Sequence, residues 1–180
     1  MLKSIRQIAL GISICLPGIF ILLLSFNPDG NIHFIEDKNL KTFKQVIQLS
    51  QFKDKVIYVD IWGTRCIPCI EQFTFNNALK EKFEKEQIEY LYLAVDYGHP
   101  DDHTRWKEMV QDKNLTGYNM LISSSLYKEV WNIIKDSVKT MYLIPHYIII
   151  DKKGKIAYAD AERPGAKETL YRQLKSALER

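Results

Sequence analysis

Hydrophobic positions follow two rhythms along this chain, and each rhythm predicts one kind of element. Nearly continuous apolar runs at 56–62 and 88–95, rich in β-branched residues, predict strands that are buried on both faces of a sheet. Apolar residues at helical spacing predict helices near 40–47, from the segment after residue 69 to about 85, over 102–113, over 125–134, and over a C-terminal stretch containing Leu170, Leu174 and Leu178.

The C-terminal third of the chain adds a hairpin to this alternation of strand and helix. The apolar run 147–150, a turn containing Lys and Gly, and the run 156–158 have the form of two antiparallel strands. The order of elements predicts an α/β fold with a mixed central sheet and helices on both faces. With 180 residues, 46% of them hydrophobic, the chain can bury one sizeable core and is short for two domains.

The N-terminal segment predicts a membrane anchor. No charged residue occurs from Ile8 to Phe26, and a helix of that length is about 28 Å long, close to the thickness of the hydrocarbon layer. We therefore expect a signal anchor or transmembrane helix in 1–26, a linker rich in turn formers in 27–38, and one folded domain in 39–180.

The charges before the anchor predict its orientation. Lys3 and Arg6 should stay in the cytoplasm, which places the folded domain on the periplasmic side of the inner membrane. The end of the apolar run lacks the small residues that a signal peptidase requires, which favours an uncleaved single-pass anchor. Secretion to the periplasm after cleavage stays open as the alternative. Cys15 lies inside the run and reads as one of its apolar residues.

The cysteines carry the clearest chemical signal. The pair Cys66 and Cys69 directly follows a predicted buried strand and opens a predicted helix, the context in which C-x-x-C is a redox motif. A cysteine at a helix N-terminus meets unpaired N–H groups, which lower the pKa of its thiol to roughly 3.5–7.5. Cys66 is therefore the predicted nucleophile, and Cys69 is placed to attack a mixed disulfide on Cys66.

Two segments give this chain a family resemblance. VDIWGTRCIPC at 59–69 resembles the active-site region of thioredoxins and of TlpA-like, membrane-anchored thiol-disulfide oxidoreductases, and IPHYIIIDKKGKI at 144–156 resembles the strand and hairpin that follow the cis-proline of that family. DAERPGAKETL at 160–170 resembles the tail of TlpA-like domains, so that the likeness covers about Phe52 to Arg180. The resemblance implies a thioredoxin-like fold.

The resemblance also implies roles for four further residues. Asp60 matches the buried acid that takes a proton from the inner cysteine, and Trp62 matches the family tryptophan beside the substrate. Pro145 matches the cis-proline that faces the cysteine pair, and an X-Pro bond is where a cis peptide is least costly. Ile144 would offer backbone groups to an extended substrate, as in strand addition.

Three positions depart from the family pattern. Arg65 replaces a tryptophan before the first cysteine, and Gln72 stands where TlpA-like proteins often have a glutamate, with Glu71 one residue off. Tyr92 aligns with the lysine that accompanies the buried acid in thioredoxins. These departures leave the partner surface and the protonation of Asp60 open.

The predicted function is exchange of dithiol and disulfide with extracytoplasmic proteins, and the resemblance favours a reductase. The implied partners are protein substrates, a membrane electron donor or acceptor, and the inner membrane itself through residues 8–26. We expect a monomer without cofactor or metal, because one C-x-x-C with scattered His99, His103 and His146 lacks paired zinc motifs. Lys and Arg total 25 against 22 Asp and Glu without clustering, which does not suggest nucleic acid. A membrane-tethered chaperone or metal carrier without redox turnover is the alternative.

Overall fold

A six-stranded mixed sheet forms the centre of the computed structural model, which describes residues 31–138 and 142–180. In spatial order the strands are β1, β4, β3, β2, β5 and β6, with the first four parallel and the last two antiparallel to their neighbours. The strands are β1 (Ile32–Phe34), β2 (Val56–Trp62), β3 (Ile88–Val95), β4 (Gly117–Ile122), β5 (His146–Ile150) and β6 (Ile156–Tyr158).

Helices cover both faces of this sheet. They are α1 (Phe43–Ile47), α2 (Ile67–Gln72), α3 (Asn76–Lys82), α4 (Asp102–Asp112), α5 (Ser124–Ile134) and α6 (Glu168–Leu178). The α1 and α5 helices pack on one face, against Ile57, Val59 and Ile61 of β2, while α2, α3, α4 and α6 pack on the other. All seven residues of β2 are buried, because helices lie above and below it. The mixed sheet and the two-sided cover confirm the predicted fold class.

The predicted single helix after the cysteines is wrong in one respect. A 3-10 turn at Phe73–Phe75 separates α2 from α3. The Thr74 hydroxyl donates to the carbonyl oxygen of Glu71 at 2.8 Å, a local bond of the kind that competes with helix hydrogen bonds and bends the chain. The α3 helix then buries Asn76 and Leu79, and Leu79 packs in the cluster that contains Tyr58 and Ile88.

The predicted linker 27–38 is also partly wrong. Residues 32–34 form β1, which pairs in parallel with β4, and the Phe34 ring packs edge-to-face on Trp106 with centroids 5.1 Å apart. Three residues are too few to show a strand period, and the turn formers before them dominate the local composition. The folded domain therefore begins before residue 39.

The predicted anchor, residues 8–26, lies outside the described residues. Within 31–138 and 142–180, no helix has both the length and the apolar character needed to cross a membrane.

Candidate active site

The cysteine pair lies where β2 ends and α2 begins. A disulfide joins Cys66 to Cys69, with their Cα atoms 5.3 Å apart. Cys69 is 1% exposed and packs in the cluster that contains Trp62 and Phe73, while Cys66 is only half-buried. Cys66 is therefore the more exposed cysteine of the pair.

Backbone N–H groups of the first helical turn surround the outer cysteine. Cys66 is the N-cap residue of α2, and the Cys69 N–H donates to the Cys66 sulfur at 3.2 Å. The N–H groups of Cys69 and Ile70 also donate to the Cys66 carbonyl, each at 3.1 Å. Pro68 occupies the first turn, where a missing N–H costs nothing. A thiolate on Cys66 would be stabilised by the Cys69 N–H group.

The Ile144–Pro145 bond is cis, as the resemblance predicted. Pro145 and Pro68 line one cleft of about 340 Å³ beside the disulfide, and Glu71, Asp160 and Glu162 contribute its polar walls. The structure thus brings the proline and the cysteine pair together, although 75 residues lie between Cys69 and Pro145 in the sequence.

Gly63 allows two side chains to approach the end of β2. A Cβ at this position would lie 3.1 Å from both the Ile144 Cδ1 and the Tyr97 hydroxyl oxygen. Ile144 packs in the cluster that contains Cys66 and Cys69, and Tyr97 is 49% exposed. The absence of a side chain at Gly63 therefore shapes the surface on which a substrate would lie.

We expect Gly63→Ala to raise the KM for a protein disulfide about tenfold, because an added methyl group in a packed site costs about 1–3 kcal/mol. The measurement is insulin reduction as a function of insulin concentration. A small aromatic disulfide needs no extended surface and serves as the control substrate, with an unchanged rate. An unchanged KM for insulin would show that Ile144 and Tyr97 do not form part of the substrate surface.

Trp62 requires a correction to the predicted substrate contact. Its side chain is completely buried and packs edge-to-face on Phe73, with ring centroids 5.1 Å apart. It shares its apolar cluster with Cys69. Trp62 therefore supports the inner cysteine from below, and no part of its ring faces solvent where a substrate could bind in this disulfide form.

Asp60 is a buried carboxyl in the centre of the sheet. It is 1% exposed, and it faces Tyr92 across β3 and Tyr147 across β5. Neither carboxyl oxygen has a hydrogen-bond partner among the described residues. Burial raises the pKa of Asp60 well above its usual range, while the positive charge of Lys80 acts in the opposite direction.

The raised pKa of Asp60 predicts how stability depends on pH. Below the usual carboxyl pKa of about 3.9, both the folded and the unfolded chain are protonated at Asp60. As the pH rises above this value, only the unfolded chain loses the proton, so the free energy of unfolding falls. In the disulfide form, Asp60→Asn should therefore become progressively more stable than the parent protein between about pH 4 and 7. Urea titrations at several pH values measure this gap, and a gap that stays constant would contradict the assigned pKa shift.

Lys80 is a site residue that the sequence patterns did not reveal. It reaches from α3 across Tyr90 and Tyr92, with its Nζ 5.1 Å and 5.2 Å from the two ring centroids. Burial lowers the pKa of Lys80 to about 7, and the attraction of Asp60 opposes the shift. Lys80 lies on the same helix face as the buried residues Asn76 and Phe83, because helix positions three and four apart share a face. This spacing was the sequence signal that Lys80 is partly buried.

Arg65, which replaces a tryptophan of the family, is paired with two carboxylates. Its guanidinium donates to Asp102 at 2.5 Å and to Asp101 at 2.8 Å. Asp102 is buried and also accepts from the backbone N–H groups of Tyr97 and His99. Burial would raise the pKa of Asp102, but these hydrogen bonds outweigh it and lower the pKa. Arg65 therefore fastens the 97–102 loop to the cysteine turn, and its positive charge is matched locally.

Gln72, which replaces a glutamate of the family, has a structural partner. Its Oε1 accepts from the Gly165 N–H at 3.0 Å, and a Cβ on Gly165 would lie 2.9 Å from that oxygen. Gln72 thereby holds the turn before α6 against the turn after α2. Both Glu71 and Gln72 line the cleft beside Pro145.

The three histidines do not converge on the cysteines. His146 contacts the Ala159 carbonyl through Nε2 at 2.8 Å and packs at a tilt against Trp131, and His103 contacts Glu36. In the part of the chain that the structure describes, no group of three or more His, Cys, Asp and Glu side chains could hold a metal ion.

Comparison with known proteins places this site in a family. The redoxin family model matches residues 27–174. Thiol-disulfide oxidoreductase ResA of Bacillus thuringiensis is 25% identical over 129 residues, which cover 72% of this chain and 67% of that protein. A crystal structure of a thiol-disulfide oxidoreductase from Bacteroides vulgatus is 30% identical, with a TM-score of 0.54, and the match covers 72% of this chain and 83% of that one. A solution structure of a thiol-disulfide oxidoreductase from the same organism is 26% identical, with a TM-score of 0.52 and coverage of 69% and 74%. The chain belongs to the redoxin family and is a TlpA-like thiol-disulfide oxidoreductase of the thioredoxin fold.

Proposed function

We propose that this protein reduces disulfides in extracytoplasmic proteins, with Cys66 and Cys69 as its reacting groups. The observation that carries the proposal is the asymmetry of the pair: Cys66 is accessible and caps a helix, while Cys69 is buried below it, one helical turn further on. This arrangement suits one sulfur to attack and the other to resolve.

The reaction takes place in two exchanges. The Cys66 thiolate attacks one sulfur of the substrate disulfide, which forms a mixed disulfide and releases the other substrate sulfur as a thiolate. Cys69 then transfers its proton to the Asp60 carboxylate and attacks the Cys66 sulfur, which releases the second substrate thiolate. Two electrons pass from the enzyme to the substrate, and the enzyme ends in the disulfide form seen in the structure.

The charges around Cys66 support the reducing direction. A couple becomes oxidising when its reduced form is stabilised, above all by positive charge near the thiolate. Here the adjacent cation, Arg65, is neutralised by Asp101 and Asp102. The buried carboxyl of Asp60 lies on the same face of the sheet as Cys69 and adds negative charge when ionised. The reduction potential of the pair should therefore be lower than that of a pair beside an unpaired cation.

The surface around the pair suits an extended polypeptide. The Ile144 backbone next to cis-Pro145 would pair with a substrate strand, since main-chain hydrogen bonds give affinity without demanding one sequence. Ile67 and Leu143, which are 70% and 60% exposed, would cover apolar side chains on either side of the substrate cysteine. The breadth of this surface favours unfolded or flexible substrates.

Residues 1–26 would tether this domain to the inner membrane, with the active site in the periplasm and the reducing electrons supplied by a membrane partner. A tether keeps the enzyme next to such a donor. The folded domain would act as a monomer, because each step of the exchange uses residues of one chain.

Insulin reduction tests the proposal. The parent protein, pre-reduced and resupplied with dithiothreitol, should accelerate precipitation of the insulin B chain, and Cys66→Ser should not. Cys15→Ser, tested in parallel, should behave as the parent. If parent and Cys66→Ser were equally inactive while the parent bound copper or zinc tightly, the protein would be a binding module without turnover.

A further inference from the structure

We propose that Lys80 is a positioning residue for the exchange reaction: its ammonium group, supplied by α3, is the counter-ion that keeps Asp60 able to accept the Cys69 proton. The inference rests on the proposed role of Asp60 and names a residue that acts through it.

The first support is the place of Lys80 in the fold. The ammonium group lies over the rings of Tyr90 and Tyr92, and Tyr92 is the register neighbour of Asp60 in the sheet. Thus position 92 on β3 holds a tyrosine ring and not a lysine, and the Lys80 ammonium group reaches over that ring from α3. Tyrosine rings attract cations through their negative faces, so Tyr90 and Tyr92 hold the charge where Asp60 experiences it.

The second support is the anchoring of the amine. Lys80 Nζ donates to the Thr116 carbonyl at 2.5 Å and to the Thr116 hydroxyl at 2.6 Å. Two bonds to one residue fix an otherwise flexible side chain, so the charge occupies a defined position. Asp60 has no hydrogen-bond partner among the described residues, so that burial, which raises its pKa, is opposed by the charge of Lys80 rather than by a direct hydrogen bond.

In the part of the chain that the structure describes, Lys80 is the cation whose charge acts on the carboxyl. The titratable groups that face Asp60 are Tyr58 on its own strand, Tyr92 on β3, Tyr147 on β5, Cys69 on α2 and Lys80 on α3. Lys80 additionally faces a groove of about 650 Å³, where Glu84 and Glu89 are among the lining groups. Protons on the amine can therefore exchange with solvent on a side of the domain away from the cysteines.

The mechanism makes a directional prediction. A neighbouring positive charge favours the carboxylate, so removal of the Lys80 charge should raise the pKa of Asp60 further. The Asp60 carboxylate, which accepts the Cys69 proton, would then form only at a higher pH than in the parent. The step that suffers is the attack of Cys69 on the mixed disulfide, whereas the first attack by Cys66 should be little affected.

The test separates these two steps. A full-length Cys15→Ser protein is reduced and mixed with dithiobis-nitrobenzoate, which reacts first at Cys66 and releases a second coloured thiolate when Cys69 resolves the mixed disulfide. In Lys80→Met, the acid limb of the pH profile for the second phase should move up by about one pH unit, which slows resolution about tenfold on that limb. Lys80→Gln carries the same prediction if the methionine variant does not fold.

Matched variants make the result specific. Lys82→Met, an exposed lysine of the same helix, should superimpose on the parent, and Lys80→Arg should lie closer to the parent than to Lys80→Met. In an Asp60→Asn background, Lys80→Met should cause no further shift. A Lys80→Met profile identical to the parent, or a shift that persists in Asp60→Asn, would overturn the inference. The proposed function would survive either result as long as the parent reduces insulin, and loss of that activity would count against the function itself.

Discussion

Cys69→Ala is expected to abolish turnover and to accumulate a stable mixed disulfide between Cys66 and the substrate. The buried sulfur of Cys69 is the group placed to attack Cys66, with the two residues 5.3 Å apart at their Cα atoms. Without it, the first exchange proceeds and the second cannot, so the protein stops halfway through the reaction.

The trapped species makes this prediction measurable. Cys69→Ala is prepared with Cys15→Ser, which removes the third thiol. After reduction, this variant should form a covalent adduct with an unfolded protein that carries disulfides. The adduct is visible by non-reducing electrophoresis and is released by dithiothreitol. Cys66→Ala with the same second change is the control and should form no adduct at the active site. Adducts of equal amount from both proteins would contradict the division of roles between the two cysteines.

Trp131→Ala is expected to destabilise the domain by about 3–5 kcal/mol, the usual cost of removing a buried Trp side chain. Trp131 is fully buried on α5, and its ring packs 4.6 Å from the His146 ring and 5.8 Å from the Tyr142 ring, measured between centroids. For a domain of this size the loss corresponds to roughly 6–20 °C in the melting temperature.

The same change should impair catalysis even where the variant is folded. Tyr142 and His146 flank the Ile144–Pro145 segment, and the Tyr127 hydroxyl holds the Tyr142 carbonyl at 3.0 Å. Removing the ring beneath them should loosen this segment and raise the KM for insulin. Trp131→Phe keeps most of the buried area and should lose much less stability. A loss below about 1 kcal/mol for Trp131→Ala would show that α5 does not support the segment before the proline.

Sequence patterns predicted the elements whose burial is extreme. Apart from Asp60 in β2 and Glu89 in β3, these two strands consist of apolar and aromatic residues because helices cover both faces, and the structure gives the predicted bounds 56–62 and 88–95 for them. The 32–34 strand was missed, because three residues at the sheet edge show no period. The break between α2 and α3 was missed as well, since the 3-10 turn at Phe73–Phe75, with its Thr74 hydroxyl bond, leaves the hydrophobic pattern intact.

Those parts of the candidate site that lie in a continuous stretch of sequence were predictable. The cysteine pair and the cis bond at Pro145 each belong to a short continuous motif. Lys80 was not predictable in this way, because its relation to Asp60 arises only when α3 packs over β3. A lysine in a helix usually reads as a solvated side chain, and the aromatic residue at 92 hid the fact that a cation from another element covers the same place.

The reduction potential of the Cys66/Cys69 couple tests the central claim most directly. The full-length Cys15→Ser protein is equilibrated with defined ratios of reduced and oxidised dithiothreitol or glutathione, and the fraction of disulfide is followed by thiol labelling. Because the cation beside Cys66 is already paired with Asp101 and Asp102, we predict one two-electron transition closer to the thioredoxin value of about −270 mV than to the DsbA value of about −120 mV. A transition near −120 mV, or no reversible transition, would contradict the account of this protein as a reductase.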